Sequence, residues 1–172
     1  MTDPSMSLSV VVAPESAADA AAIERLSERA FGPGRFARTA YRLRELRSSD
    51  PTLSFVARIS TLLVGANRMT AIRCGTVPSL LLGPLTVDPA FRSRGIGAAL
   101  VNRSIMAAAD AGHGLVVLVG DEAYYGRFEF ARVPPGRLTM PGPVDPSRLL
   151  YRELVPGTFA EARGPITAGR AS

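Results

Sequence analysis

Residues 79–111, SLLLGPLTVDPAFRSRGIGAALVNRSIMAAADA, constrain this chain more than any other stretch. Leu80, Leu81, Leu82, Leu85 and Val87 form a run too short to span a membrane and too continuous for an exposed strand, which predicts a buried central strand. Asp88 and Pro89 end it. In Arg92-Ser93-Arg94-Gly95-Ile96-Gly97-Ala98 the glycines stand two apart, so main-chain N–H groups can approach a ligand unscreened by side chains. Leu100, Val101, Ile105, Ala108 and Ala109 then recur on one helical face, with Asn102, Arg103 and Asp110 on the other, so a helix begins at about Gly95. Its N-terminus offers unpaired N–H donors and the positive end of a dipole, beside two guanidinium groups. The expected ligand carries phosphate. The loop is no Walker motif, because no GK[ST] follows, and it lacks the GxGxxG spacing of a dinucleotide fold.

Pro84 interrupts the central strand. Proline has no ladder donor, so within a central strand it belongs at a bulge or a break.

The pattern V-D-P-x-x-R-x-x-G-I-G-A, Val87 to Ala98, resembles the R/Q-x-x-G-x-G/A signature of the GNAT N-acetyltransferases. Val116 to Asp121, followed by Ala123-Tyr124-Tyr125-Gly126-Arg127-Phe128-Glu129-Phe130, resembles that family's strand and F-Y-x-x-x-G-F motif, with Glu129 where glycine is usual. LGPL-x-V-x-P and then LVGD-x-x-YYGRF is most similar to the YhbS-like branch. The resemblance implies an α/β GNAT fold: a mixed, mostly antiparallel sheet of about seven strands, flanked by about four helices, with a V-shaped splay between the central strands. It implies acetyl-CoA as cosubstrate, no metal, and direct transfer of the acetyl group to a primary amine of a small molecule or peptide. The other reading on the same fold is a non-catalytic acyl-CoA sensor.

Carried onto this chain, the resemblance gives cofactor contacts at Leu85, Val87, Arg92, Arg94, Gly95, Ile96, Gly97, Ala98, Asp121, Tyr125 and Arg127. Leu85 would present its main-chain N–H to the thioester oxygen, and Tyr125, aligned with the family's tyrosine, would be the general acid. The acceptor site would border a helix pair, making Arg35, Arg38, Tyr41 and Arg42 its candidate contacts. Ser79 to Val87 holds no carboxylate, so the base is unassigned among Asp50, Glu45, Glu122 and a water chain.

Composition narrows the chemistry further. All twenty basic residues are arginine, so lysine Schiff bases and a P-loop lysine are excluded. The net charge of +5 is spread from Arg25 to Arg170 without a dense block, and no nucleic-acid partner is expected. One cysteine, Cys74, excludes an internal disulfide and fits a reducing compartment. One histidine, His113, leaves no two-histidine metal site and disfavours a Ser-His-Asp triad. No run of eighteen apolar residues and no signal-peptide pattern occur, so no membrane partner and a cytoplasmic location are expected. Oligomeric state stays open, a homodimer included.

At 172 residues one domain is expected, with irregular ends at 1–7 and about 156–172. Leu8 to Val12 predicts a first strand, and a capping box at Ser16–Asp19 opens a helix that Gly32-Pro33-Gly34 ends. Arg35 to Arg47 reads as a second amphipathic helix. Leu53 to Ile59 and Leu62 to Cys74 form a hairpin leading into the central strand, giving three antiparallel strands in succession. Leu115–Val119 follows the central helix as a parallel strand. Asp121 caps a short helix bearing Tyr124 and Tyr125. Arg137–Pro141 and Leu149–Leu154 read as a closing pair of strands.

Overall fold

The computed structural model describes residues 9–32, 43 and 48–169. Among these, nine strands and four α-helices lie in the order β1 (Val10–Pro14), α1 (Ala20–Phe31), β2 (Phe55–Ile59), β3 (Leu62–Cys74), β4 (Val77–Val87), α2 (Ile96–Asp110), β5 (Leu115–Val119), α3 (Glu122–Tyr125), β6 (Ala131–Arg132), β7 (Leu138–Thr139), β8 (Leu149–Glu153), α4 (Thr158–Glu161) and β9 (Gly164–Ala168). The capping box is present: the Asp19 carboxylate accepts from the Ser16 N–H at 2.8 Å and also pairs with Arg58 on β2.

The main sheet runs β1-β2-β3-β4-β5-β8-β6. β2, β3 and β4 are antiparallel neighbours, as their hairpin signals predict, and β5 lies parallel to β4 after the α2 crossover. One face is covered by α2, which buries Ile96, Leu100, Val101, Ile105 and Ala108 against Leu80, Leu82, Val116 and neighbours. The opposite face is covered by α1 over Val56, Leu63 and Ala66, and by the C-terminal elements over Ile72, Leu81 and Val117. Central strands buried on both faces carry no polar alternation, which is why 80–82 and 115–118 read as continuous apolar runs.

Two expectations are corrected. The tail is not irregular throughout 156–172: α4 and β9 form there, and β9 pairs antiparallel with β3 at Ile72–Cys74 and parallel with β7. Tertiary contacts impose this order on a glycine- and proline-rich segment. Phe159 stacks on Tyr151 at 3.6 Å, Ile166 is buried, and Arg137 donates to the carbonyls of Phe159, Ala160 (3.1 Å) and Ala162 (2.7 Å). Consequently β7 and β8 do not close the sheet as a pair. β8 joins β5, whereas β7 is claimed by β9. The main sheet path holds seven described strands, as expected, and the two beyond it are the two-residue β7 and the tail strand β9.

The segment 1–7 and all of the second predicted helix except Leu43 lie outside the described residues, as do Arg35, Arg38, Tyr41, Arg42 and Glu45. Leu43 is helical and buried in the C-terminal half of the core.

Glu129 answers the question its position raised. It sits at φ 65°, ψ 23°, the left-handed conformation that glycine supplies without a β-carbon clash. Its carboxylate meets Arg152 at 2.9 Å but is largely exposed, so the pair offsets little of the strain. Glu129→Gly is therefore expected to stabilise the protein by about 0.5–1 kcal/mol. A denaturant midpoint at or below the wild-type value would contradict this.

Candidate active site

The register of β4 builds the site. Pairing with β3 shifts between Asn67/Met69, because Asn67 opposes Leu85 while Met69 opposes Leu82. One extra β4 residue is thus accommodated at Gly83–Pro84, the bulge that the proline predicts. Toward β5, pairing is confined to Leu80↔Val116 and Leu81↔Val117. Beyond those two pairs the strands part, and the rest of β4 borders a gap.

The main-chain groups facing that gap follow from the alternation of an antiparallel ladder. The Asp88 N–H donates to the Val64 carbonyl at 2.8 Å, so Asp88 and Thr86 direct their groups to β3. Leu85 and Val87 direct theirs the other way, into the gap. Both residues are half-buried, and their side chains lie against the first turn of α2, each 3.7 Å from where a β-carbon of Gly97 would sit.

α2 begins at the mouth of this gap. Gly95 is its N-cap at φ 76°, a left-handed residue at the strand-to-helix turn, and Ser93 is also left-handed at φ 64°. The loop is pinned by Asp88, whose carboxylate accepts from the Ala90 N–H at 3.0 Å and pairs with Arg29 of α1 at 3.2 Å. Arg92, Arg94 and Gly95 are exposed. Ile96 is buried with its side chain in the core, so only its main chain is available to a ligand, while Gly97 and Ala98 are half-buried. Arg94 lies 5.6 Å from the centroid of the Phe91 ring. The helix dipole and its first N–H donors open to solvent here, with two exposed arginines in the preceding loop.

The far wall is α3. Asp121 caps it, accepting from the Ala123 N–H at 3.1 Å, which commits that carboxylate to the helix. The two tyrosines are half-buried and edge-on to one another, with centroids 4.9 Å apart and planes at 88°. Tyr125 lies against Gly120 at the end of β5 and packs with Phe128 and Phe130. Tyr124 points elsewhere: its hydroxyl would stand 2.8 Å from a β-carbon at Gly97. Arg127 stacks 4.6 Å from the centroid of the Tyr124 ring and donates from Nε to the Tyr124 carbonyl at 3.1 Å. Burial pushes the Tyr124 phenol above its ordinary pKa and the Arg127 charge only partly offsets this, so the hydroxyl is a proton donor at neutral pH.

The candidate bases are engaged or out of view. Glu122 pairs with Arg132, and the Asp50 carboxylate accepts from the Thr52 N–H at 2.9 Å. Cys74 is fully buried, which pushes its thiol pKa up and makes it a packing residue. His113 continues the end of α2, its N–H donating to the Ala108 carbonyl at 3.0 Å. Among the described residues no group of three His, Cys, Asp or Glu side chains is placed to hold a metal, and no helix is long and apolar enough to cross a membrane.

Sequence reasoning missed a buried polar pair behind the bulge. Asn67 donates from Nδ2 to Ser104 Oγ at 2.9 Å, tying β3 to α2, and both side chains are fully buried. An asparagine within an apolar strand and a serine on the apolar face of a helix were the available signals. It also missed the proximity of Tyr124 to Gly97, which no local pattern encodes.

An open α/β sheet whose central strands part over a glycine-rich helix N-terminus defines the class of fold that receives a phosphate-bearing ligand in the parting. The sequence model of the acetyltransferase (GNAT) family matches residues 20–130, so the chain belongs to that family. Among solved structures, the GNAT family N-acetyltransferase YhbS from Escherichia coli, in complex with CoA, superposes with a TM-score of 0.80 at 24% identity, covering 98% of this chain and 93% of that one. A GNAT family acetyltransferase from Brucella melitensis in complex with acetyl-CoA gives 0.62 at 26% identity, covering 84% and 96%. The ribosomal-protein-S18-alanine N-acetyltransferase from Escherichia coli gives 0.62 at 15% identity, covering 86% and 95%. A comparison with curated protein sequences returns no significant match.

Proposed function

We propose that the protein transfers the acetyl group of acetyl-CoA directly to a primary amine of a small molecule or peptide. The observation that carries this reading is the gap itself: β4 leaves β5 after two residue pairs, and the N-terminus of α2 stands at its mouth. Family membership and the CoA and acetyl-CoA bound to YhbS and the Brucella protein support the choice of cosubstrate.

In this reading the diphosphate rests on the N–H groups of residues 94–98, with Arg92 and Arg94 alongside and Arg127 near. Acetyl-CoA supplies the activated acyl group as a thioester. The chain supplies orientation and charge stabilisation: main-chain groups of Leu85 and Val87 hold the pantetheine arm, and the Leu85 N–H faces the thioester oxygen as negative charge develops there. Tyr125 protonates the departing thiolate. The attacking amine must be neutral, and a lysine-like amine has a reference pKa of about 10.4. With Glu122 and Asp50 engaged, a water chain to solvent is the proton acceptor that fits the described residues. Arg35, Arg38, Tyr41 and Arg42 remain the proposed acceptor contacts.

The test is a screen of primary amines for CoA release from acetyl-CoA, with acetyl-CoA hydrolysis as blank. Acceptor-dependent release above the blank is expected for at least one amine class. Tight acetyl-CoA binding with no acceptor-dependent release across small amines and peptide N-termini would favour a sensor in place of an enzyme.

A further inference from the structure

Tyr124 is the group at this site to which neither the family motif nor the proposed chemistry gives a task. Its ring is held on three sides: edge-on to Tyr125, at 5.5 Å from Phe128, and under the Arg127 guanidinium. Its hydroxyl takes no hydrogen bond with another described residue and lies over Gly97, where any β-carbon would crowd it at 2.8 Å. Gly97 belongs to the first turn of α2, within the N–H groups that the proposed function assigns to the diphosphate. A phenol that touches this glycine is within reach of an anion resting on the same turn. Tyr125 follows by about 100° of helix rotation and lies against Gly120 on β5 instead, so the two rings serve different parts of the gap.

We infer that the Tyr124 hydroxyl donates a hydrogen bond to the diphosphate of the bound cosubstrate, completing from α3 the cradle that α2 begins. This rests on the acetyl-CoA reading above and adds a binding residue to it. The division of labour is then explicit: Tyr124 serves the phosphate end and Tyr125 the sulfur end. The Arg127 cation over the ring strengthens the donor by drawing charge from it, and its own charge attracts the same anion.

Tyr124→Phe keeps the packed ring and deletes only the donor. Calorimetric titration with CoA is expected to show affinity lowered about tenfold, the scale of one hydrogen bond to a charged group. In 31P spectra of CoA bound at saturation, the diphosphate resonances are expected to differ between wild type and Tyr124→Phe, while the 3′-phosphate resonance stays in place. A structural role alone would not produce that selectivity. CoA affinity within twofold of wild type, or weakened affinity with unmoved diphosphate resonances, would overturn the inference and leave the proposed function standing. Failure of the wild-type protein to bind CoA at all would instead sink the proposed function, and this inference with it.

Discussion

Gly97→Val is expected to abolish measurable acetyl-CoA binding in a protein that still folds. Gly97 is half-buried in the first turn of α2, and a β-carbon there would stand 2.8 Å from the Tyr124 hydroxyl and 3.7 Å from both Leu85 and Val87. Valine adds two methyl groups beyond that atom, so it must displace Tyr124 or fill the mouth of the gap. Either result removes the surface proposed to hold the diphosphate. The helix itself tolerates the change, since valine costs well under 1 kcal/mol relative to most residues in a helix. Gly95 offers a contrast. A β-carbon at 95 meets open space, but φ of 76° penalises any side chain, and a β-branched one most. Gly95→Val therefore acts through the backbone and Gly97→Val through occupied volume. Calorimetry with acetyl-CoA on both variants, with circular dichroism to verify folding, checks this. Wild-type affinity in folded Gly97→Val would place the ligand elsewhere.

Tyr125→Phe is expected to lower kcat by about ten- to a thousandfold while leaving acetyl-CoA affinity nearly unchanged. The ring lies against Gly120 and beside Phe128 and Phe130, with centroids at 6.3 and 6.1 Å, and phenylalanine retains that packing. Only the proton donor is lost. A thiolate is a fair leaving group unaided, so the smaller end of the range is compatible with the mechanism. Steady-state kinetics with an acceptor from the amine screen, next to Tyr124→Phe, separates the two rings. Tyr124→Phe should raise the KM for acetyl-CoA, and Tyr125→Phe should depress kcat. The reverse pattern would exchange their roles.

The parts of the fold written in local chemistry were legible. The apolar runs at 80–82 and 115–118 mark strands covered on both faces, Pro84 marks the bulge, and Gly95 marks the left-handed cap of α2. The capping box of Ser16 and Asp19 announced α1. The tail was misread because its letters are those of breakers. Pro156, Gly157, Gly164 and Pro165 predict irregular chain, whereas order there comes from partners distant in sequence: Arg137, Tyr151 and the edge of β3. β6 and β7 are two-residue pairings with no periodicity to detect.

The same distinction governs the site. Its candidate glycines, arginines and tyrosines stand in one short span, from which the sequence alone proposes them. The approach of Tyr124 to Gly97 and the Asn67–Ser104 tie depend on elements far apart in the chain, and the pairing of Glu122 with Arg132 joins two short elements that no periodicity links. Glu129 lies between these cases. The motif flagged it, and the left-handed φ of 65° shows glutamate taking up the conformation in glycine's place.

The central claim is that acetyl-CoA lies between β4 and β5 with its diphosphate on the start of α2. Amide hydrogen exchange with and without saturating acetyl-CoA tests it most directly, because it reads the main-chain donors themselves. The account predicts slowed exchange at residues 94–98 and at Leu85 and Val87, with little change in β1, β2 and β9. Unchanged exchange at 94–98 under saturation, with protection appearing elsewhere, would contradict it.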